Sequence, residues 1–248
     1  MNDQETFRLN KAIAMGGLVS RRKADELIKA GKVKLNGSVV FDLSKKVSFS
    51  DKIEVNGKLS TFKNFEYMLF YKPSGFLTTR NDERNRKTIY DLLPAGCLHL
   101  KSAGRLDRDT EGLLILSNDG DYINRVIRPQ NNVKKTYLVQ IDKVLEDNDV
   151  DYIQKKLMTG IALDCKPIKA DLVKQVLNNN EERKFRKHTV FKVVIHEGIN
   201  RQIRRMFQVI GFSVSKLKRI QIGHFNLSDL RTGQYKIISK QEAYAIFN

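Results

Sequence analysis

Gly104-Arg105-Leu106-Asp107-Arg108-Asp109-Thr110-Glu111-Gly112-Leu113-Leu114-Ile115-Leu116-Ser117-Asn118-Asp119-Gly120 is the stretch on which the reading of this chain turns. Three acidic residues and two arginines stand between Gly104 and Gly112, and an unbroken apolar run, 113–116, follows. A short apolar run closed by turn residues, here Asn118-Asp119-Gly120, predicts a strand buried on both faces. The polar cluster then occupies the loop entering that strand, and loops on rigid strands are where chemistry is placed. On its own the cluster fits a solvated turn with local Arg–Asp pairs equally well.

The flanking segments give the strand its setting. Before it, 67–71 reads as a buried strand, Lys72-Pro73-Ser74-Gly75 as a turn, 80–87 as a charged surface loop and 88–93 as a short helix ended by Pro94. After it, 121–127 reads as a helix with Tyr122, Ile123 and Val126 inward. Residues 134–141 alternate as a strand does, 147–158 fits a helix closed by Gly160, and 169–177 and 189–196 are further strands joined by a polar surface connection, 178–187. Residues 198–228 contain no acidic residue but hold Arg201, Arg204, Arg205, Lys216, Lys218 and Arg219. Within them 201–211 reads as a helix with Ile203, Met206, Phe207 and Ile210 as its apolar stripe, and a basic face without local acid suits phosphate. Hairpins and helices without regular βαβ alternation predict an α+β fold with a mixed, mostly antiparallel sheet flanked by helices.

Composition points the same way. The 248 residues suffice for two domains, and 41% hydrophobic residues suffice for a core. Lys+Arg 45 against Asp+Glu 28 gives a net charge of +17, which implies a polyanionic partner, nucleic acid first and an anionic membrane surface second. No apolar run is long enough to span a bilayer, and the acidic, polar Met1-Asn2-Asp3-Gln4-Glu5 is no signal peptide, so a cytoplasmic protein is expected. Cys97 and Cys165 lack metal-site spacing and read as reduced thiols.

The N-terminal part reads as a separate module, residues 1–62, joined by a short polar linker at 61–64 to a larger domain, 65–248. Residues 7–16 predict a short helix stopped at Gly16-Gly17. Ser20 caps a second helix that ends at Gly31, with Arg21, Arg22 and Lys23 in its first turn. Cations there oppose the helix dipole, which suits either a solvated turn or a phosphate site. Two Asn-Gly pairs, at 36–37 and 56–57, predict hairpins. Through Arg8, Leu9, Ser20-Arg21-Arg22, Ala24, Ile28, Gly31, Val33, Asn36 and Gly37, the module resembles the small RNA-binding domain first seen in ribosomal small-subunit protein S-four. That resemblance implies binding of structured RNA through the basic helical face.

The larger domain resembles the ribosomal-RNA pseudouridine synthases, in the branch with an N-terminal S-four-like domain. Four segments carry the likeness in order: Lys72-Pro73-Ser74-Gly75; Gly104-Arg105-Leu106-Asp107 with Thr110-Glu111-Gly112-Leu113-Leu114; Lys135-Thr136-Tyr137; and Glu197-Gly198-Ile199-Asn200-Arg201-Gln202-Ile203-Arg204-Arg205-Met206. The resemblance implies isomerisation of uridine within RNA. The bond from ribose C1′ to uracil N1 breaks, the base turns, and C1′ is rejoined to C5, with no metal or organic cofactor. It makes Asp107 the catalytic nucleophile or base, attacking either C1′ or uracil C6. It places Arg204 against Asp107, holding it ionised, and Tyr137 against the flipped base. RNA contacts are expected from Arg8, Arg21, Arg22, Lys72, Arg105, Arg201, Arg205 and Lys218, with ribosomal RNA, more of the large-subunit type, as partner. Monomeric action is expected, although the oligomeric state is open.

Two other readings fit parts of the chain. A non-catalytic, RNA-binding ribosome-assembly factor explains the charge and the first module, but not an anion at Asp107 where RNA binds. A metal-dependent nuclease would use Asp107, Asp109 and Glu111 as Mg²⁺ ligands.

Overall fold

The computed structural model describes residues 6–60, 64–176, 188–228 and 230–248. The expected connection at 178–187, residues 61–63 of the expected linker, and residue 177 of an expected strand lie outside these. The chain forms two compact units, 1–65 and 66–248.

In the first unit the helices are Leu9–Met15 and Arg21–Lys29. The Ser20 hydroxyl accepts the Lys23 N–H at 3.2 Å, supplying the cap read from the sequence. Both Asn-Gly pairs turn as expected, with φ of 50° and 89° at Asn36 and Gly37, and 51° and 74° at Asn56 and Gly57. They join an antiparallel sheet ordered Ser38–Val39, Val33–Leu35, Ile53–Val55, Lys58–Ser60. The first helix does not begin at residue 7. Phe7–Arg8 is a short strand paired with Lys46–Val47, because the Phe7 ring packs edge-on against Phe49, 5.0 Å away. Leu9, Ile13, Ala24, Ile28, Val33 and Ile53 fill the core of this unit.

The second unit is built on a nine-stranded sheet. Its main path runs Leu172–Gln175, Thr189–Ile195, Lys135–Ile141, Lys216–Ile222, Thr110–Ser117, Tyr67–Lys72, Tyr235–Ile238. Thr110–Ser117 and Lys216–Ile222 are parallel, whereas the other strand pairs of the sheet are antiparallel. The apolar run is buried on both faces, as read. Leu114 and Leu116 join a core completed by Val150, Ile153 and Leu157 of the helix Asp147–Thr159, and by Ile203, Met206 and Phe207 of the helix Gln202–Val209. The opposite side holds Tyr67, Tyr122 and Tyr244, with the Tyr67 and Tyr244 hydroxyls each donating to Asp119 at 2.8 Å. Asp119 also caps the helix Gly120–Ile127. The expected helix at 88–93 is only a 3₁₀ turn, Ile89–Asp91, ended by the approach to Pro94. The edge strand Tyr235–Ile238 and the helix Lys240–Tyr244 had no reading from the sequence. Among the described residues no helix is long and apolar enough to cross a membrane.

Candidate active site

The parallel junction organises the site. Thr110 lies opposite Leu217, Gly112 opposite Arg219, and Arg219 in turn opposite Tyr137. Opposed residues share a face of the sheet. A bulge beside Tyr137, where the partner strand shifts register, bends the sheet at this point. Buried Thr110, Tyr137, Gln202, Leu217 and Arg219 line a cavity of about 360 Å³, with Arg105, Asp107, Asn200 and Arg201 at its more exposed mouth. This is within the size range of small-ligand sites.

The loop carrying Asp107 is held from three sides. The Thr78 hydroxyl donates to the Leu106 carbonyl at 2.9 Å and accepts the Leu106 N–H at 3.3 Å. The Gly75 N–H donates to the Arg108 carbonyl at 2.7 Å. Lys72 Nζ donates to the carbonyls of Thr110 (2.6 Å), Pro73 (3.0 Å) and Arg108 (3.4 Å). An ammonium has three donors, and here all three are spent on backbone. Lys72 is fully buried, which leaves its amine no open surface for the RNA contact expected of it. It belongs to the scaffold of the loop, because three backbone carbonyls converge where its amine lies.

Burial pushes the Lys72 amine down to about 8, while the Asp109, Asp107 and Glu111 carboxylates pull it up. Its ordinary value is 10.5, so between about pH 8 and 10.5 the unfolded chain holds the extra proton. The cost of burying the charge is therefore present below pH 8 and relieved as pH rises through that window. Lys72→Met leaves buried carbonyls unpaired, at about 1–3 kcal/mol each, less the cost of burying the ammonium. The expected result is a rate on bound RNA that falls at least about tenfold as the Asp107 loop loosens, with affinity nearly unchanged. Weaker binding with a normal single-turnover rate would restore the RNA-contact reading.

Asp107 is 29% exposed, and Arg201 Nη1 lies 3.7 Å from its Oδ2. The same nitrogen is 3.5 Å from Asp109 Oδ1. Arg201 caps the basic helix in the left-handed conformation, φ 50° and ψ 31°, a strained state for a residue with a side chain. Arg204 does not pair with Asp107. Its Nη2 lies 3.1 Å from Asp109 Oδ2, and its Nη1 donates to the Val214 carbonyl at 2.7 Å. One helical turn separates the two arginines, and that turn carries Arg204 past Asp107 to its neighbour. Arg201, expected as an RNA contact, is the residue that stands against Asp107.

The basic face does meet acids, brought from other segments. Arg205 pairs with Asp164 at 2.5 Å, and Lys218 lies 3.8 Å from Glu111 with its amine over the Tyr71 ring. Arg105 is exposed at the cavity mouth. In the first unit Arg8, Arg21 and Arg22 are exposed. Among the described residues no group of three or more His, Cys, Asp or Glu side chains could hold a metal ion. Asp109 is engaged by Arg201 and Arg204, and Glu111 by Lys218.

The sequence model of the RNA pseudouridylate synthase family matches residues 66–209, which include all the cavity-lining residues except Leu217 and Arg219, and that of the S4 domain matches residues 7–53. This chain belongs to the RNA pseudouridylate synthase family. It is 40% identical to ribosomal large subunit pseudouridine synthase B of Bacillus subtilis over 95% of this chain and 93% of that one. It is 34% identical to an uncharacterized RNA pseudouridine synthase of Aquifex aeolicus over 97% of this chain and 93% of the relative. A crystal structure of a pseudouridylate synthase covers 97% of this chain and is itself covered to 99%, with a TM-score of 0.64 and 30% identity. The chain is therefore an RNA pseudouridine synthase, an isomerase with an appended S4 domain.

Two buried cations of the synthase's cavity had no role in the sequence reading. Arg219 is 4% exposed, its Nε donates to the Leu113 carbonyl at 2.7 Å, and its Nη1 reaches the Tyr137 hydroxyl at 3.4 Å. The signal was present in Lys216-Leu217-Lys218-Arg219, since strand alternation puts Arg219 on the buried Leu217 side. Lys135 is buried too and donates to the His196 carbonyl at 3.0 Å. Burial, aided by Arg219, lowers its amine to about 8.

Proposed function

We propose that the cavity receives one uridine swung out of ribosomal RNA of the large subunit, and that Asp107 is the nucleophile or base that opens its glycosidic bond. The observation that carries this reading is the position of Asp107. It is a carboxylate at the mouth of a cavity whose other charged lining residues are the cations Arg105, Lys135, Arg201 and Arg219 and one further acid, Glu197. A carboxylate repels RNA phosphates, so a site built only to bind RNA has no use for it. Tyr137 offers an aromatic wall against which an unstacked base recovers part of the stacking it loses, a few kcal/mol. Arg201 orients Asp107, and Arg204 acts one step back, by holding Asp109 and the end of the loop. The names of the Bacillus subtilis relative and of a Xylella fastidiosa relative, 32% identical over 96% of this chain and 50% of that one, support a large-subunit target. A ribosomal RNA target also supports action in the cytoplasm.

Pseudouridine mapping of ribosomal RNA from cells with and without this protein tests the proposal. One or a few sites in large-subunit RNA should disappear on deletion. Loss confined to small-subunit or transfer RNA would overturn the choice of substrate.

The exposed Arg8, Arg21 and Arg22 of the S4 domain, with Arg105 and Arg201, suit phosphate contacts. Each contact releases condensed counterion, so log K should fall against log salt by about 0.7 to 0.9 per contact, for on the order of five contacts. Arg21→Ala with Arg22→Ala should flatten that slope by about 1.5 while leaving the rate on bound RNA unchanged. An unchanged slope would remove the basic first turn of the S4 domain's second helix from the interface.

A further inference from the structure

Among the described residues, five buried side-chain polar atoms have no hydrogen-bond partner, and three of them belong to residues lining the cavity: Thr110 Oγ1, Gln202 Nε2 and Arg219 Nη2. The side chains of Thr110, Gln202 and Arg219 are 1%, 3% and 4% exposed. Native proteins rarely leave such atoms unpaired without a use for them.

The chemistry of these atoms is fixed by their neighbours. Gln202 Oε1 accepts the Ile199 N–H at 3.2 Å, so the amide nitrogen is the end left to donate. Arg219 has committed Nε and Nη1, and a guanidinium can only donate. Two unspent donors therefore belong to residues of two cavity walls, Arg219 on the sheet and Gln202 in the first turn of the basic helix, and a third lining residue, Thr110, carries an unpaired hydroxyl that can donate or accept.

Uracil presents the complement. Its edge reads O2 acceptor, N3–H donor, O4 acceptor, whereas cytosine replaces O4 by an amino group that an arginine cannot accept. In the isomerisation the base turns about its N3–C6 axis, which exchanges N1 with C5 and O2 with O4. The acceptor–donor–acceptor edge is the same before and after the turn. We propose that Arg219 Nη2 and Gln202 Nε2 donate to the two carbonyl oxygens of the target uracil, one each. They select uridine over cytidine and hold the base in both orientations, while the Thr110 hydroxyl accepts the N3–H. This assignment rests on the cavity being the seat of the flipped uridine.

The test uses the full-length protein and RNA fragments spanning the mapped site, with uridine or 4-thiouridine at the target. Sulfur is the weaker acceptor. Wild type should react about 10- to 100-fold more slowly with 4-thiouridine in single-turnover assays at saturating enzyme. Arg219→Met should be slow on both RNAs, with the ratio between them collapsing toward one. Gln202→Glu keeps the oxygen that accepts the Ile199 N–H and replaces only the donor, so it serves where Arg219→Met fails to fold. It should lose about 100-fold in single-turnover rate on uridine at saturating enzyme, where any affinity lost to the added charge does not enter. If both variants slow the two RNAs equally and keep the wild-type ratio, Arg219 and Gln202 are structural and the base-reading assignment falls. If Asp107→Asn reacts as fast as wild type, the reading of the cavity itself falls instead.

Discussion

Asp107→Asn should reduce the single-turnover rate by at least about 10⁴-fold while RNA affinity holds or rises. Asparagine has the shape of aspartate and can keep the loop as Thr78, Gly75 and Lys72 hold it, since those contacts are to backbone. What it lacks is a carboxylate able to attack or to take a proton. It also removes one negative charge from a cavity mouth that RNA phosphates approach, and leaves Arg201, 3.7 Å away, with Asp109 as its remaining acidic partner. Rate and affinity must be measured separately, by single turnover at saturating enzyme and by filter binding. Turnover within tenfold of wild type, free of wild-type contamination, would sink the catalytic assignment. Arg201→Met should lower the rate more weakly, because it removes the partner and spares the carboxylate, and should also cost some affinity, because a phosphate contact goes with it.

Gly112→Ala should destabilise the synthase domain by about 3 kcal/mol or more, a large part of the stability of a typical domain. Gly112 has φ 124°, where L residues are strained. A Cβ there would also overlap the backbone carbonyl carbon, oxygen and nitrogen of Arg219. These are atoms of the facing strand in the parallel pair and cannot swing aside as a flexible side chain can. The strands must part, and Arg219, Leu217 and Thr110 move with them, so activity should be lost even where some protein folds. Urea midpoints and single-turnover rates decide this. A variant with the wild-type midpoint and rate would show that the strands do not approach so closely.

The sequence by itself determined what depends on near neighbours. The Asn-Gly turns take positive φ because those two residue types tolerate it, and Ser20 caps the helix that begins beside it. The run Leu113-Leu114-Ile115-Leu116 has no polar side, so it could only become a strand covered on both faces, and the loop before it could only lie at a strand end. The family's motifs likewise lie contiguous in the chain, which is why the chemistry was legible. Tertiary structure decided the partners. A charge pattern cannot say which acid meets which base when the two lie far apart in the chain. Asp109 is brought to Arg204, Asp164 to Arg205 and Glu111 to Lys218 by strand pairing and helix docking. The same pairings bury Lys72 beneath three carbonyls and set Phe7–Arg8 against Lys46–Val47. They also put Arg219 opposite Gly112 and Tyr137 at the back of the cavity. Each of these outcomes is a contact between distant segments, and its free energy exists only once the sheet has fixed their register.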